Sequence, residues 1–128
     1  MNGDCERRGI DLNGAVPLDI SRGSRRLHWP PAPDGIMYTL ETLAGYSLQA
    51  ELLFQNGYPD VWELQDEALR RMADVVSRSE EDGGPGWNPG RVQFHTPWLL
   101  NHRYGTDYPT VPAEYGRSLG YTDWLYGS

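Results

Sequence analysis

Two stretches of this chain, residues 34–56 and 60–79, place apolar side chains at three- and four-residue intervals, while glycine and proline interrupt most of the rest. With 15 Gly and 10 Pro in 128 residues, roughly a fifth of the sequence is punctuation, and little else can sustain regular structure. In the first stretch Ile36, Leu40, Leu43, Ser47, Ala50 and Phe54 recur as one face of a packed helix requires. Met37, Leu48, Leu52 and Leu53 make much of its other side apolar, so it is expected to be covered on both sides. Asp34 is its candidate N-cap, and Gly57 stands where a left-handed C-terminal residue is wanted.

The second helix is expected after Tyr58-Pro59, with Asp60 and Glu63 spaced as a capping box and an end near Ser79. Val61, Leu64, Ala68, Leu69, Met72, Val75 and Val76 form its apolar stripe. Glu63, Asp66, Glu67, Arg70, Arg71 and Asp74 are read as its polar side. A short linker between two such helices predicts an antiparallel hairpin. Residues 1–33 read as an irregular arm and residues 80–128 as a loop-rich aromatic tail. In that tail Thr96-Pro97-Trp98 opens a short helix that stops by Gly105. The whole is an all-α single partial domain, and one hairpin with irregular flanks is expected to be marginally stable by itself.

Charge and composition exclude several functions. The 18 acidic residues outnumber the 11 basic ones, and every basic residue is Arg, so no lysine chemistry is available. A net charge of −7 without a basic run disfavours nucleic acid. No apolar run approaches the roughly 18–20 residues of a membrane span, so no membrane partner is expected. The polar start of the chain, Met1 to Asp11, is not a secretory signal as it stands. Cys5 alone forms neither an internal disulfide nor a cysteine-rich zinc site. His95 and His102 lie seven apart without a third ligand at readable spacing, so neither a metal nor another cofactor is expected.

The densest chemistry is Arg22-Gly23-Ser24-Arg25-Arg26, followed by His28 and then Tyr38 on the first helix. Arginine offers a planar fork of donors that matches a carboxylate, and a phenol beside it can move a proton. From spacing alone, surface ion pairs for these arginines and a core position for Tyr38 account for the pattern more simply.

The run from Asn13 to His28, with Met37-Tyr38-Thr39-Leu40, Gln49-Ala50-Glu51-Leu52 and Asn56-Gly57-Tyr58-Pro59-Asp60-Val61-Trp62 after it, resembles the alginate lyase family in order and spacing over about Asp11 to Val76. The resemblance implies a partial (α/α) toroid, cleavage of an acidic polysaccharide by β-elimination, and a periplasmic or secreted location. It implies Tyr38 as the proton-transfer residue and Arg22 as its catalytic partner, with Arg25 as the alternative to Arg22. Arg25, Arg26, His28 and His102 are then candidate substrate contacts. Aligning back from Ala50-Glu51 selects Tyr38, whereas aligning forward from Arg22-Gly23 lands on Trp29. The family's Asn-Asn-His segment has no counterpart before Asn13, so the remainder of the toroid is expected upstream and little activity is expected of these 128 residues alone. A non-catalytic carbohydrate-binding or scaffold fragment is the rival reading. A glycoside hydrolase would instead need a pair of carboxylates, for which Asp19, Asp34 and Glu41 are available. Tyr104, Tyr108, Tyr115, Tyr121, Trp124 and Tyr126 could stack on sugar rings or close the edge of the fold.

Overall fold

A computed structural model of the chain describes residues 6–7, 9–23, 27–87 and 96–110. A two-residue antiparallel ladder, β1 (Glu6–Arg7) with β2 (Ile10–Asp11), precedes α1 (Pro17–Ile20), so the arm holds short regular elements. The long helices α2 (Pro33–Gln55) and α3 (Leu64–Glu81) follow, separated by a 3-10 turn, Val61–Glu63, and α4 (Thr96–Tyr104) packs into the same core. The described chain is mainly helical.

The predicted stripe of α2 is the buried one: Ile36, Leu40, Leu43, Ser47 and Ala50 are inaccessible, with Phe54 half-buried at the end. They meet Met72, Ala73 and Val76 of α3, and Leu99 and Leu100 of α4 close the same core. The other side of α2 is not covered among the described residues. Met37 and Leu48 are half-buried, but Leu52 and Leu53 are exposed, because α1, α3 and α4 all draw on the opposite face.

The helix ends differ from expectation in instructive ways. Ala32 is the N-cap of α2, with Pro33 at the first position. Proline brings a preset φ and no orphan N–H, so the helix starts before Asp34, whose carboxylate instead faces the positive end of the dipole. Asn56 caps the C-terminus, and Gly57 has φ +99°, the left-handed geometry its position called for. The Gly57 N–H reaches the Phe54 carbonyl (3.4 Å) and the Tyr58 N–H reaches the Leu53 carbonyl (3.1 Å), the paired bonds of a Schellman end.

Asp60 and Glu63 do not form a capping box. Backbone bonds turn the chain there, from the Val61 N–H to the Tyr58 carbonyl (3.3 Å) and from the Glu63 N–H to the Asp60 carbonyl (3.0 Å). Gln65, Asp66 and Glu67 then adopt left-handed φ of 54–55° before α3 settles into right-handed geometry. Such residues cost roughly 1–2 kcal/mol each without glycine. The Arg71 guanidinium holds this turn, donating to the carbonyls of Asp66 (3.0 Å) and Gln65 (2.5 Å) and to Asn13 Oδ1 on the arm (2.9 Å). Arg71 is therefore buried and not part of the polar side. Leu64, thrown off the stripe by the change of hand, is 61% exposed.

The chain beyond α4 returns onto the hairpin. The Asn101 amide bonds the Tyr108 carbonyl (3.0 Å) and accepts from its N–H (2.8 Å), which folds the loop back. Tyr104 and Tyr108 are thereby packing residues: Tyr104 lies edge-on to Trp62 with centroids 5.4 Å apart, and Tyr108 lies against Trp87. The other tail aromatics, Tyr115, Tyr121, Trp124 and Tyr126, fall outside the described residues.

The Tyr104 hydroxyl donates to the Trp62 carbonyl (2.7 Å), and the Tyr108 hydroxyl donates to Asp74 Oδ1 (2.7 Å). Burial pushes the Tyr104 phenol up to about 12, with the Glu67 charge adding to it. Burial raises the Tyr108 phenol further, reinforced by its bond to Asp74. Both groups hold their protons more firmly folded than at the ordinary value of 10.0, so their contribution is whole below pH 10 and declines above it. Melting temperature is expected to drop between pH 10 and pH 12, and the double variant Tyr104→Phe, Tyr108→Phe should show a shallower drop than the parent.

Candidate functional site

The site forms where α1 meets the first turns of α2. Proline at the first position starts α1, and a backbone bond from the Ser21 N–H to the Pro17 carbonyl (3.2 Å) closes it. Ile20 is buried with Leu12, Ala15 and Val75, fixing α1 on the core. Gly35 makes the contact close: a Cβ there would stand 2.5 Å from the Ile20 carbonyl oxygen. Thr42 Oγ1 donates to Asp19 Oδ2 at 2.7 Å, tying the same turn to α2 one step further along.

This seating delivers the residue just past α1 onto α2. The Arg22 guanidinium lies 4.9 Å from the centroid of the Tyr38 ring, within cation–π range. Among the described residues no side chain hydrogen-bonds either the Arg22 guanidinium or the Tyr38 hydroxyl. Tyr38 is 36% exposed, and Arg22 is exposed and forms no ion pair among the described residues.

The pair has acidic surroundings. Asp34 stands one helical turn before Tyr38, and its Cβ and Oδ2 border Gly23. Asp19 Oδ2 accepts from Thr42 Oγ1.

The remaining candidates separate. Trp29, the alternative to Tyr38, has a structural role: its indole N–H donates to Asp82 Oδ2 (2.6 Å) and Arg78 packs over its ring (5.4 Å). His28 is exposed, with Nδ1 2.7 Å from the Pro30 carbonyl, and makes no hydrogen bond or ring contact with Arg22 or Tyr38. His102 does not join the site. Its neighbour Arg103 pairs with Glu51, thirteen residues along α2 from Tyr38, about 20 Å at the helical rise. Arg25, Arg26 and His95 lie outside the described residues.

Sequence reading missed the Glu51–Arg103 pair. Arg103 Nε donates to Glu51 Oε2 at 2.7 Å, its second arm reaches Oε1, and the guanidinium stacks on Phe54 at 4.0 Å. Glu51 appeared there only as the end of a family-like motif, and nothing local announces a partner 52 positions away. Among the described residues no three His, Cys, Asp or Glu side chains converge to hold a metal ion, and no helix is long and apolar enough to cross a membrane.

Gly35→Ala tests how the site is positioned. Overpacking costs roughly 1–3 kcal/mol, against up to about 1 kcal/mol returned by helix propensity. The variant should lose about 1–2 kcal/mol in chemical denaturation, and the Arg22 guanidinium should lose its ring-current shift in NMR. An unchanged shift would mean that Gly35 does not seat the pair. In comparisons with known proteins, no family model, no curated protein and no solved structure matches this chain.

Proposed function

We propose that this chain is part of a secreted or periplasmic lyase that cleaves a uronate-containing polysaccharide such as alginate by β-elimination. The observation carrying the proposal is the Arg22 guanidinium over the Tyr38 ring at 4.9 Å, with both polar ends open. In this reading the helices form one edge of a larger (α/α) toroid, whose remainder covers the open side of α2.

The chemistry assigns each group a task. The proton to be removed sits on the carbon that bears the uronate carboxylate, and its loss builds negative charge on that carboxylate. Arg22 binds the carboxylate through its free N–H edge and stabilises the charge as it develops. The Tyr38 oxygen takes the proton, or returns one to the leaving oxygen, within hydrogen-bond reach of the sugar. The electron pair of the broken C–H bond becomes a ring double bond as the neighbouring glycosidic C–O bond breaks. Water is not consumed, so the product is an unsaturated uronate.

A second reading is favoured by one observation: Arg22, Tyr38 and His28 are all exposed. A solvent-open guanidinium beside an aromatic ring suits binding of an acidic saccharide without turnover, as in a non-catalytic scaffold.

Two measurements separate these readings. Titrated with an oligouronate and with a neutral oligosaccharide of equal length, the chain should prefer the acid. Arg22→Gln should weaken that binding about tenfold, the loss expected for a charge-assisted hydrogen bond. Joined to the rest of its toroid, the chain should generate the ultraviolet absorbance of the unsaturated product. Tyr38→Phe should then lower the rate by about 10²–10⁴-fold with affinity retained. Acid-selective binding without that product selects the scaffold. Equal affinity for the neutral sugar rejects both readings.

A further inference from the structure

A second surface lies at the other end of α2. Leu53, Gly57, Tyr58, Pro59, Asp60, Val61 and Leu64 line an open, mainly apolar cleft of about 490 Å³. Leu53 is 45% exposed, Tyr58 62% and Leu64 61%, and the exposed Leu52 adjoins them. Leu53 is fifteen residues from Tyr38 along α2, about 22 Å at the helical rise, so this surface is separate from the Arg22–Tyr38 site.

Local physics accounts for the cleft. The Schellman end of α2 sets Tyr58 beside Leu53, the pair that makes the apolar contact in such motifs. The left-handed turn after Leu64 keeps that side chain off the buried stripe of α3 and delivers it to the same corner. Three large apolar side chains thus meet outside the core, where solvent contact costs them free energy.

The rim says what kind of molecule covers them. Asp60 lines the cleft, Glu63 precedes Leu64 and Asp66 follows it two residues later, all three exposed. Among the described residues none of these carboxylates has a side-chain hydrogen bond or ion pair. An apolar floor lined by Asp60 and flanked in sequence by Glu63 and Asp66 complements a helix with an apolar stripe and basic flanks. It disfavours a second copy of this chain, which carries −7 overall and would set the same carboxylates against each other in a symmetric contact.

We infer that this corner docks an amphipathic segment of another protein, whose apolar side chains enter the cleft and whose Lys or Arg residues pair with Asp60, Glu63 and Asp66.

The test uses a fluorescent synthetic helix with leucines at i, i+3, i+4 and i+7 flanked by lysines, and a twin with glutamate for lysine. Fluorescence anisotropy should show the lysine peptide binding at least about tenfold more tightly than its twin, with affinity falling as salt rises. Tyr58→Ala with Leu64→Ala should weaken binding about tenfold. The triple variant Asp60→Asn, Glu63→Gln, Asp66→Asn should flatten the salt dependence. All five substituted side chains are exposed, so an unchanged circular dichroism melt checks that the fold is kept. Equal binding of the twin, or unaltered affinity in the Tyr58/Leu64 variant, overturns the inference. So does a dimer in sedimentation that the same variant dissolves, since a second copy would then be the occupant.

Discussion

The contact between one face of α2 and one face of α3 carries the structure. Leu43, Met72 and Val76 are fully inaccessible, and burying a side chain of this size stabilises the fold by about 1.5–3 kcal/mol. The described part of the arm packs on α3 through Val75, and α4 and Tyr108 settle on the hairpin core itself. Two arginines extend its grip through polar groups. Arg71 joins the arm to the left-handed turn, and Arg103 clamps Glu51 at the far end of α2. Removing one partner of a buried ion pair typically costs about 3–5 kcal/mol, because the other charge is stranded away from water.

The Arg22–Tyr38 pair follows from that arrangement at one remove. Ile20 is anchored in the core, Gly35 lets the backbone of α1 rest on α2, and the residue after the short helix arrives over the tyrosine ring. Among the described residues no hydrogen bond holds the guanidinium there, only its packing over the ring. The long helix presents a core face along its length, an arginine–phenol pair near its start and an apolar corner at its end. Leu52 and Leu53 stay exposed at that end.

Much of this was legible before the coordinates. The spacing of Ile36, Leu40, Leu43, Ser47 and Ala50 marked the buried face, because a helix repeats its faces every three to four residues. Gly57 was readable for a similar reason, as the residue that tolerates a left-handed helix end. Asp34 misled because Pro33 can start a helix without a side-chain cap. Leu64 misled because a run of left-handed residues without glycine has no sequence signature. Arg71 was assigned to water because its partners are two backbone carbonyls and an asparagine 58 positions away. At the candidate site, the residue types pointed to carboxylate and proton chemistry, but the alignment left Tyr38 and Trp29 open.

Periodicity and glycine placement, both local properties of the chain, thus determined by themselves that there are two long helices and which face of the first is buried. Tertiary structure alone decided that Arg22 reaches Tyr38 while Trp29 is spent on Asp82 and Arg78, that Arg71 is interior, and that Leu53, Tyr58 and Leu64 share an exposed corner. Those outcomes depend on which distant groups satisfy a polar atom and on the hand of one turn, and neither is encoded in the spacing of neighbouring side chains.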